Sequence, residues 1–319
     1  MYPFDEGLAP RESSAAEMPR ESPTLLTRDQ DALLKSELLR LAAELQPITV
    51  RGLYYQAVVS ALIDFILKDS LGGDENYNKV QRRVLDLRKS GVMPWEWIVD
   101  ESRSSYAKPR WNNPAGFAET APWFYRLDFW REQQHRPLVL VEKAGQIPVY
   151  LQHAQSLGVD VAACKGYGSA SYLRSVALSV EEHIREGQAI QLLVCADFDP
   201  SGDDWPRAAL QEIRSHVSNP ALVAMDRVLV TREDLDGFGA QVALRGANKN
   251  DSRTKRFLER HGFTPDQEVC VEMDAMSPAV ARGRIEAAVM EMFTGDLGME
   301  RQLQQQHRDR IVQALEALA

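Results

Sequence analysis

Apolar residues recur at helical spacing from Leu25 to Leu45, and Thr27 or Asp29 stands where a side-chain oxygen caps a first turn. Pro47 ends that run. A second helix is predicted from about Thr49 to Leu67, closed by Gly72-Gly73-Asp74, and a third from about Tyr77 to Lys89, ending at Gly91. Trp95 to Asp100 alternates apolar and polar residues in the manner of a strand. The pattern changes at Pro137. From there short apolar runs alternate with helical stretches, predicting strands near 137–142, 159–164, 190–196 and 226–230 and helices near 146–157, 170–186 and 204–217. A loop-rich stretch follows Thr231, then a basic helix near 251–261, a strand from Glu268 to Met273, and helices from Pro278 to the Gln- and Leu-rich tail Arg301 to Ala319. No internal repeat is present.

These elements predict an α/β protein of more than one domain. Three helices followed by a β-wing over residues 25–110 is the layout of a winged-helix DNA-binding domain. Residues 111–136 form a connector whose Trp111, Trp123, Tyr125, Phe129 and Trp130 are expected to pack it onto a core. Residues 137–319 predict a parallel sheet flanked by helices. Residues 1–24 mix Pro, Ser and Glu with little periodicity and are predicted to be a disordered tail.

Composition changes this picture little. At 319 residues the chain is long enough for two cores, and 44% hydrophobic with 26% charged residues is ordinary for a globular protein. No apolar run reaches membrane-spanning length, and the N-terminus lacks a signal layout. Cys164, Cys195 and Cys270 are scattered in apolar contexts, without zinc spacing, as buried thiols in a reducing cytoplasm would be. The net charge of −9 argues mildly against a nucleic-acid partner, although phosphate binding depends on local patches.

The candidate chemistry lies where apolar runs stop at acids. Leu192-Leu193-Val194-Cys195-Ala196 ends in Asp197-Phe198-Asp199-Pro200-Ser201-Gly202, and Leu138-Val139-Leu140-Val141 ends in Glu142. Open parallel sheets place their sites at the carboxyl ends of their strands. Three oxygen donors there, Glu142, Asp197 and Asp199, suit a hard cation such as Mg2+. The blander alternative is one capping Asp plus two solvated loop acids. A second motif is Thr49-Val50-Arg51-Gly52-Leu53-Tyr54-Tyr55, in which Arg51 and Tyr55 share a helix face at i and i+4. A guanidinium beside a phenol can favour phenolate character and grip a phosphate; in isolation the motif reads instead as core aromatics beside an exposed Arg. Basic residues gather on the third helix as Lys79, Arg82, Arg83, Arg88 and Lys89, with Arg103, Lys108 and Arg110 beyond. Arg253, Lys255, Arg256 and Arg260 form a second group. Lys143 and Lys165 flank strand ends, and Gly166-Tyr167-Gly168-Ser169 is a weak anion-nest signal.

Glu at one strand end and Asp-x-Asp-Pro-x-Gly at another resemble the Toprim domain of topoisomerases, primases and some nucleases. Together with Arg51-x-x-Tyr54-Tyr55 in a three-helix unit, and with Asn250 to Arg253 and Glu272 to Met276, they resemble the topoisomerase VI A subunit and the meiotic double-strand-break transesterases, most of all the stand-alone Mini-A forms. The resemblance covers roughly Leu25 to Met290. It implies Tyr55 as the nucleophile that forms a 5′-phosphotyrosyl link to double-stranded DNA, Arg51 as its phosphate clamp, and Mg2+ on Glu142, Asp197 and Asp199. It further implies a homodimer in which the tyrosine of one protomer meets the metal of the other, in the cytoplasm with the nucleoid. No Gly-rich nucleotide loop is present, so ATP-coupled strand passage would need a separate ATPase subunit. Two other classes stay open at this point: a Toprim nuclease that uses water, and a non-catalytic DNA-binding subunit of a plasmid or phage maintenance complex.

Overall fold

The computed structural model describes residues 26–60, 65–66, 75–99, 109–164, 170–237, 245–248 and 250–316. The expected tail, the Gly72-Gly73 stop, Arg103, Lys108, Lys165 and the 166–169 turn lie outside them.

Helix α1, Arg28–Leu45, starts in a capping box: Thr27 Oγ1 accepts from Gln30 N, and Gln30 Oε1 accepts from Thr27 N. It buries Leu34, Leu38, Leu41 and Ala42. Helix α2, Val50–Val59, is opened by Thr49, whose hydroxyl accepts from Gly52 N at 2.9 Å. Gly52 therefore lies in the first turn, where a Cβ would sit 3.0 Å from Ile48 Cγ1. Helix α3, Glu75–Lys89, buries Val80, Val84 and Leu87, and the three helices pack on one another.

The expected wing strand is corrected. Trp95–Trp97 is a 3-10 turn, and only Ile98 pairs, through an isolated parallel bridge to Ile48. The reason is local. The Arg88 guanidinium stacks on the Trp95 ring at 4.2 Å and donates to Trp95 O at 3.0 Å, which folds the segment onto the end of α3.

The connector contains helix α4, Pro114–Phe124, which the sequence reading missed; Asn113 caps it by accepting from Gly116 N at 2.8 Å, and Pro114 stands at its first position. Phe129 and Trp130 pack into the core as expected, whereas Trp111 and Trp123 stay exposed.

Beyond the connector run β1 His135–Val141, α5 Ile147–Ser156, β2 Asp160–Ala163, α6 Ala170–Arg185, β3 Ala189–Cys195, α7 Pro200–Ser215 and β4 Val223–Leu229. The strands form one parallel sheet in the order β2-β1-β3-β4. A short antiparallel pair, β5 Arg245–Gly246 and β6 Glu268–Cys270, flanks α8 Thr254–His261, and α9 Pro278–Met290 and α10 Leu297–Glu316 complete the described chain.

Strand alternation sorts the two faces. Leu140, Leu192 and Val194 pack with Val176 and Val180 of α6 and Trp205 and Ile213 of α7. Val139, Val141, Leu193 and Cys195 face the other way, against Tyr150 of α5 and Ile285 and Val289 of α9. That second core runs on without a break into Leu38, Leu53, Tyr54 and Val84 of the N-terminal helices. The three-helix unit is thus docked on the sheet layer rather than tethered to it. No helix among the described residues is long and apolar enough to cross a membrane.

Candidate active site

Because all four strands are parallel, β1 and β3 release the chain at the same edge, Val141 opposite Cys195. Glu142 follows β1, and its Oε2 accepts from Asp197 N at 2.9 Å. Asp199 is the N-cap of α7, accepting from Gly202 N at 2.7 Å, so the capping reading holds for this acid. Gly202 is obligatory here. A Cβ would lie 2.0 Å from Asp197 O and 3.2 Å from Glu142 Oε2. Arg227 of β4 donates to Asp197 O at 2.9 Å and to Gly202 O at 3.2 Å, tying the turn down from the neighbouring strand.

Both carboxylate oxygens of Asp197 are engaged. Its Oδ1 accepts from Met273 N at 2.8 Å, and its Oδ2 lies 2.8 Å from Lys143 Nζ. The antiparallel bridge between Phe198 and Val271 sets the following Glu272 beside it. Lys143 Nζ is also 3.3 Å from Glu272 Oε2 and 3.2 Å from Asp274 Oδ2. Asp197, Glu272 and Asp274 are buried, and one ammonium compensates all three. Their combined field outweighs desolvation and holds Lys143 charged, its pKa well above the ordinary value. Gln146 and Thr49 donate to the remaining oxygen of Asp274.

Helix α2 closes the cluster from the other side. Arg51 makes a two-pronged pair with Glu272, Nε to Oε2 and Nη2 to Oε1, each 3.0 Å. The Tyr55 hydroxyl donates to the same carboxylate; burial first, and the Glu272 charge next, raise the phenol pKa above its ordinary value, and the opposing pull of Arg51 is smaller. Burial and the Glu272 charge thus favour the neutral phenol over the expected phenolate in this arrangement. Both tyrosines of the pair pack inward. Tyr54 and Tyr55 are 4% and 3% exposed, edge to face at 5.3 Å, with Tyr77 5.7 Å from Tyr54. Tyr55 moreover reaches the acid cluster of its own chain, where the resemblance implied a partner's.

Among the described residues no group of three or more His, Cys, Asp or Glu is arranged to hold a metal ion. Of the three expected donors, Asp197 has its oxygens engaged by Lys143 and Met273 N. Glu142 and Asp199 both flank Gly202. Burial, then the charges of Asp197 and Asp199, push Glu142 up to about 7. These two donors fit Mg2+, which commonly takes one or two carboxylates, several waters and a substrate phosphate.

The basic residues divide. Lys79 pairs with Glu75 within α3 at 2.9 Å, Arg83 ties α3 to Asp31 of α1 at 2.7 Å, and Arg88 holds the Trp95 turn, so these three have partners within the fold. Arg82 and Lys89 are exposed on α3 without a partner among the described residues. In the second group Arg253 and Arg260 are tied to Asp251 and Asp203, while Lys255 and Arg256 face solvent. Arg227 and Gln146 are site residues that the sequence reading passed over; each is polar inside an otherwise apolar or helix-forming stretch, the one signal available. Comparison with protein-family models, with curated proteins and with solved structures finds no match for this chain.

Proposed function

We propose that this chain is a DNA-cleaving enzyme resembling the topoisomerase VI A subunit, with a three-helix unit carrying Tyr55 docked on a Toprim-like sheet. The observation that carries it is convergence: Arg51 and Tyr55 of α2 meet Glu272, Lys143 and Asp197 of the sheet edge, residues up to 221 positions apart. Mg2+ held by Glu142 and Asp199 would neutralise charge on the scissile phosphate. Everything else is work for the side chains. A DNA phosphate competes with Glu272 for Arg51, because each offers two anionic oxygens to the guanidinium fork. Once Arg51 turns to the phosphate, Glu272 regains basicity and accepts the proton that Tyr55 already directs at it. Tyr55 Oη then forms the bond to phosphorus, and the bond to the 3′-oxygen breaks, that oxygen taking up a proton from solvent. The phosphotyrosyl bond conserves the energy for resealing.

A second reading has its own support. Tyr55 is nearly fully buried and held protonated, which suits a structural strut, and Glu142 near 7 suits a general base for water. One experiment separates the two. Supercoiled DNA and Mg2+ are incubated with wild type and Tyr55→Phe, and the reaction is stopped with detergent. Protease-sensitive linear or nicked DNA from wild type alone is the expected result. Cleavage by Tyr55→Phe at the wild-type rate would replace transesterification with hydrolysis.

A further inference from the structure

At the opposite, amino-terminal edge of the sheet lies a cavity of about 590 Å³ between the start of β1 and β2, the end of α5, and α10. Its walls carry Arg126, Arg136, Arg301 and Arg308 against only Asp128 and Asp160. This excess of positive charge stands out in a chain of net charge −9. Asp128 is spent on Arg136, and Arg301 caps the carbonyl of Ser156 at 2.9 Å. Like Arg301, Arg126 and Arg308 hydrogen-bond among the described residues only to neutral main-chain carbonyls. Arg126 donates to Trp123 O and Tyr125 O, and Arg308 to Tyr125 O at 3.2 Å. Arg308 Nε is buried without a hydrogen-bond partner, and desolvation together with the Arg126 charge lowers the Arg308 pKa. A like-charged pair with an orphaned donor is costly in the free protein and is repaid when an anion enters.

The cavity is built to keep its shape. Gly158 lines it at φ +71°, where a Cβ would be 2.9 Å from the Phe129 ring, and Gln304 is fixed by accepting from Leu127 N at 2.9 Å. At its rim the indole of Trp123, 64% exposed, lies 5.6 Å from the Arg308 guanidinium.

We propose that this cavity binds the phosphate chain of a small polyphosphate, at a site separate from the carboxyl-edge acids. A concavity of about 590 Å³ matches a free ligand of nucleotide size better than the continuous backbone of a duplex. The test is titration calorimetry on the full chain, without divalent cation and at fixed ionic strength, with sodium pyrophosphate, a nucleoside triphosphate and a short duplex as probes. Pyrophosphate and triphosphate should bind, each weakened at least about tenfold by Arg126→Gln combined with Arg308→Gln, since a charge-assisted hydrogen bond is worth that much. Arg126→Gln alone, an exposed position, should show part of the loss and guards against misfolding of the double variant. A triphosphate that binds tighter than pyrophosphate, and loses that margin in Trp123→Ala, identifies a nucleotide; equal affinities identify the phosphate chain alone. Absence of binding by both small probes overturns the site. So does binding lost in Arg51→Gln but kept in the double variant, or an arginine-dependent affinity shown only by the duplex.

Discussion

At the residue scale, the site is governed by how buried charge is compensated. Lys143 stands where a cation would, touching three carboxylates that repel one another in its absence. Lys143→Met should cost about 3–5 kcal/mol of stability in urea denaturation, because it strands buried acids rather than removing a balanced pair. Glu142 shows the complementary effect. Unfolded, its carboxyl titrates near the ordinary value of about 4.3. Folded, it is pushed up to about 7, so between those values the native state holds a proton that the unfolded chain has released. Stability from this group is intact below the unfolded pKa and is lost as pH rises through the folded one. Wild type should therefore lose stability between pH 5 and 8 relative to Glu142→Gln, and Mg2+ should narrow the gap. Parallel denaturation curves for both proteins across that range, with and without the cation, measure it.

At the scale of elements, α3 divides its basic residues between fold and surface. Val80, Val84 and Leu87 face the core. Arg83 reaches back to Asp31 of α1, and Lys79 to Glu75, leaving Arg82 and Lys89 on the open face. Arg82→Ala and Lys89→Ala should each weaken DNA binding about equally for all sequences and reduce the slope of log affinity against log salt by about 1. Arg83→Ala should instead lower the melting temperature. Binding measured at several salt concentrations, beside a thermal melt, distinguishes the two classes. The turn from β3 into α7 is an element of the opposite kind, with no freedom: Gly202 is the one residue that lets the helix start close on Asp197 O. Asp199 caps that start, which is why the metal-like spacing Asp-x-Asp gives one inward and one capping carboxylate.

At the scale of the whole molecule, the N-terminal helices and the sheet share one core, and the contact between α2 and the turn at Met273–Ala275 completes the candidate site within one chain. Gln56 Nε2 donates to Ala275 O at 2.9 Å, adding to the Arg51–Glu272 pair across that contact. A site completed in cis makes a definite prediction for mixed protomers. Tyr55→Phe and Asp199→Asn proteins, each inactive in DNA cleavage, should remain inactive when mixed, whereas an active site shared across a dimer would regain up to a quarter of its activity. The mixing assay uses the same detergent-stopped product. The C-terminal helix α10 is clasped to α4 by Tyr125 Oη and His307 Nδ1 at 2.7 Å, closing the molecule at its other end.

The sequence alone determined the elements whose signals are local. Thr27 and Thr49 announce helix starts because a hydroxyl satisfies amides three residues on, and apolar runs ending in Glu142 and Asp197 announce strand ends because buried strands exclude charge. It also singled out Arg51, Tyr55, Glu142, Asp197 and Asp199, all of which stand at the sheet edge or on the helix facing it. Helix α4 was hidden because its aromatic residues give no clean period, and the wing reading failed because a side chain seven residues upstream, Arg88, folds Trp95 down. What only the tertiary structure decided is which partner each charged group chose. Glu272 takes both Arg51 and the Tyr55 hydroxyl, Lys143 takes Asp197, and Arg126 and Arg308 are left sharing the carbonyl of Tyr125 on the wall of a cavity. Such choices depend on distances of about 3 Å between residues far apart in the chain, and no local pattern encodes them.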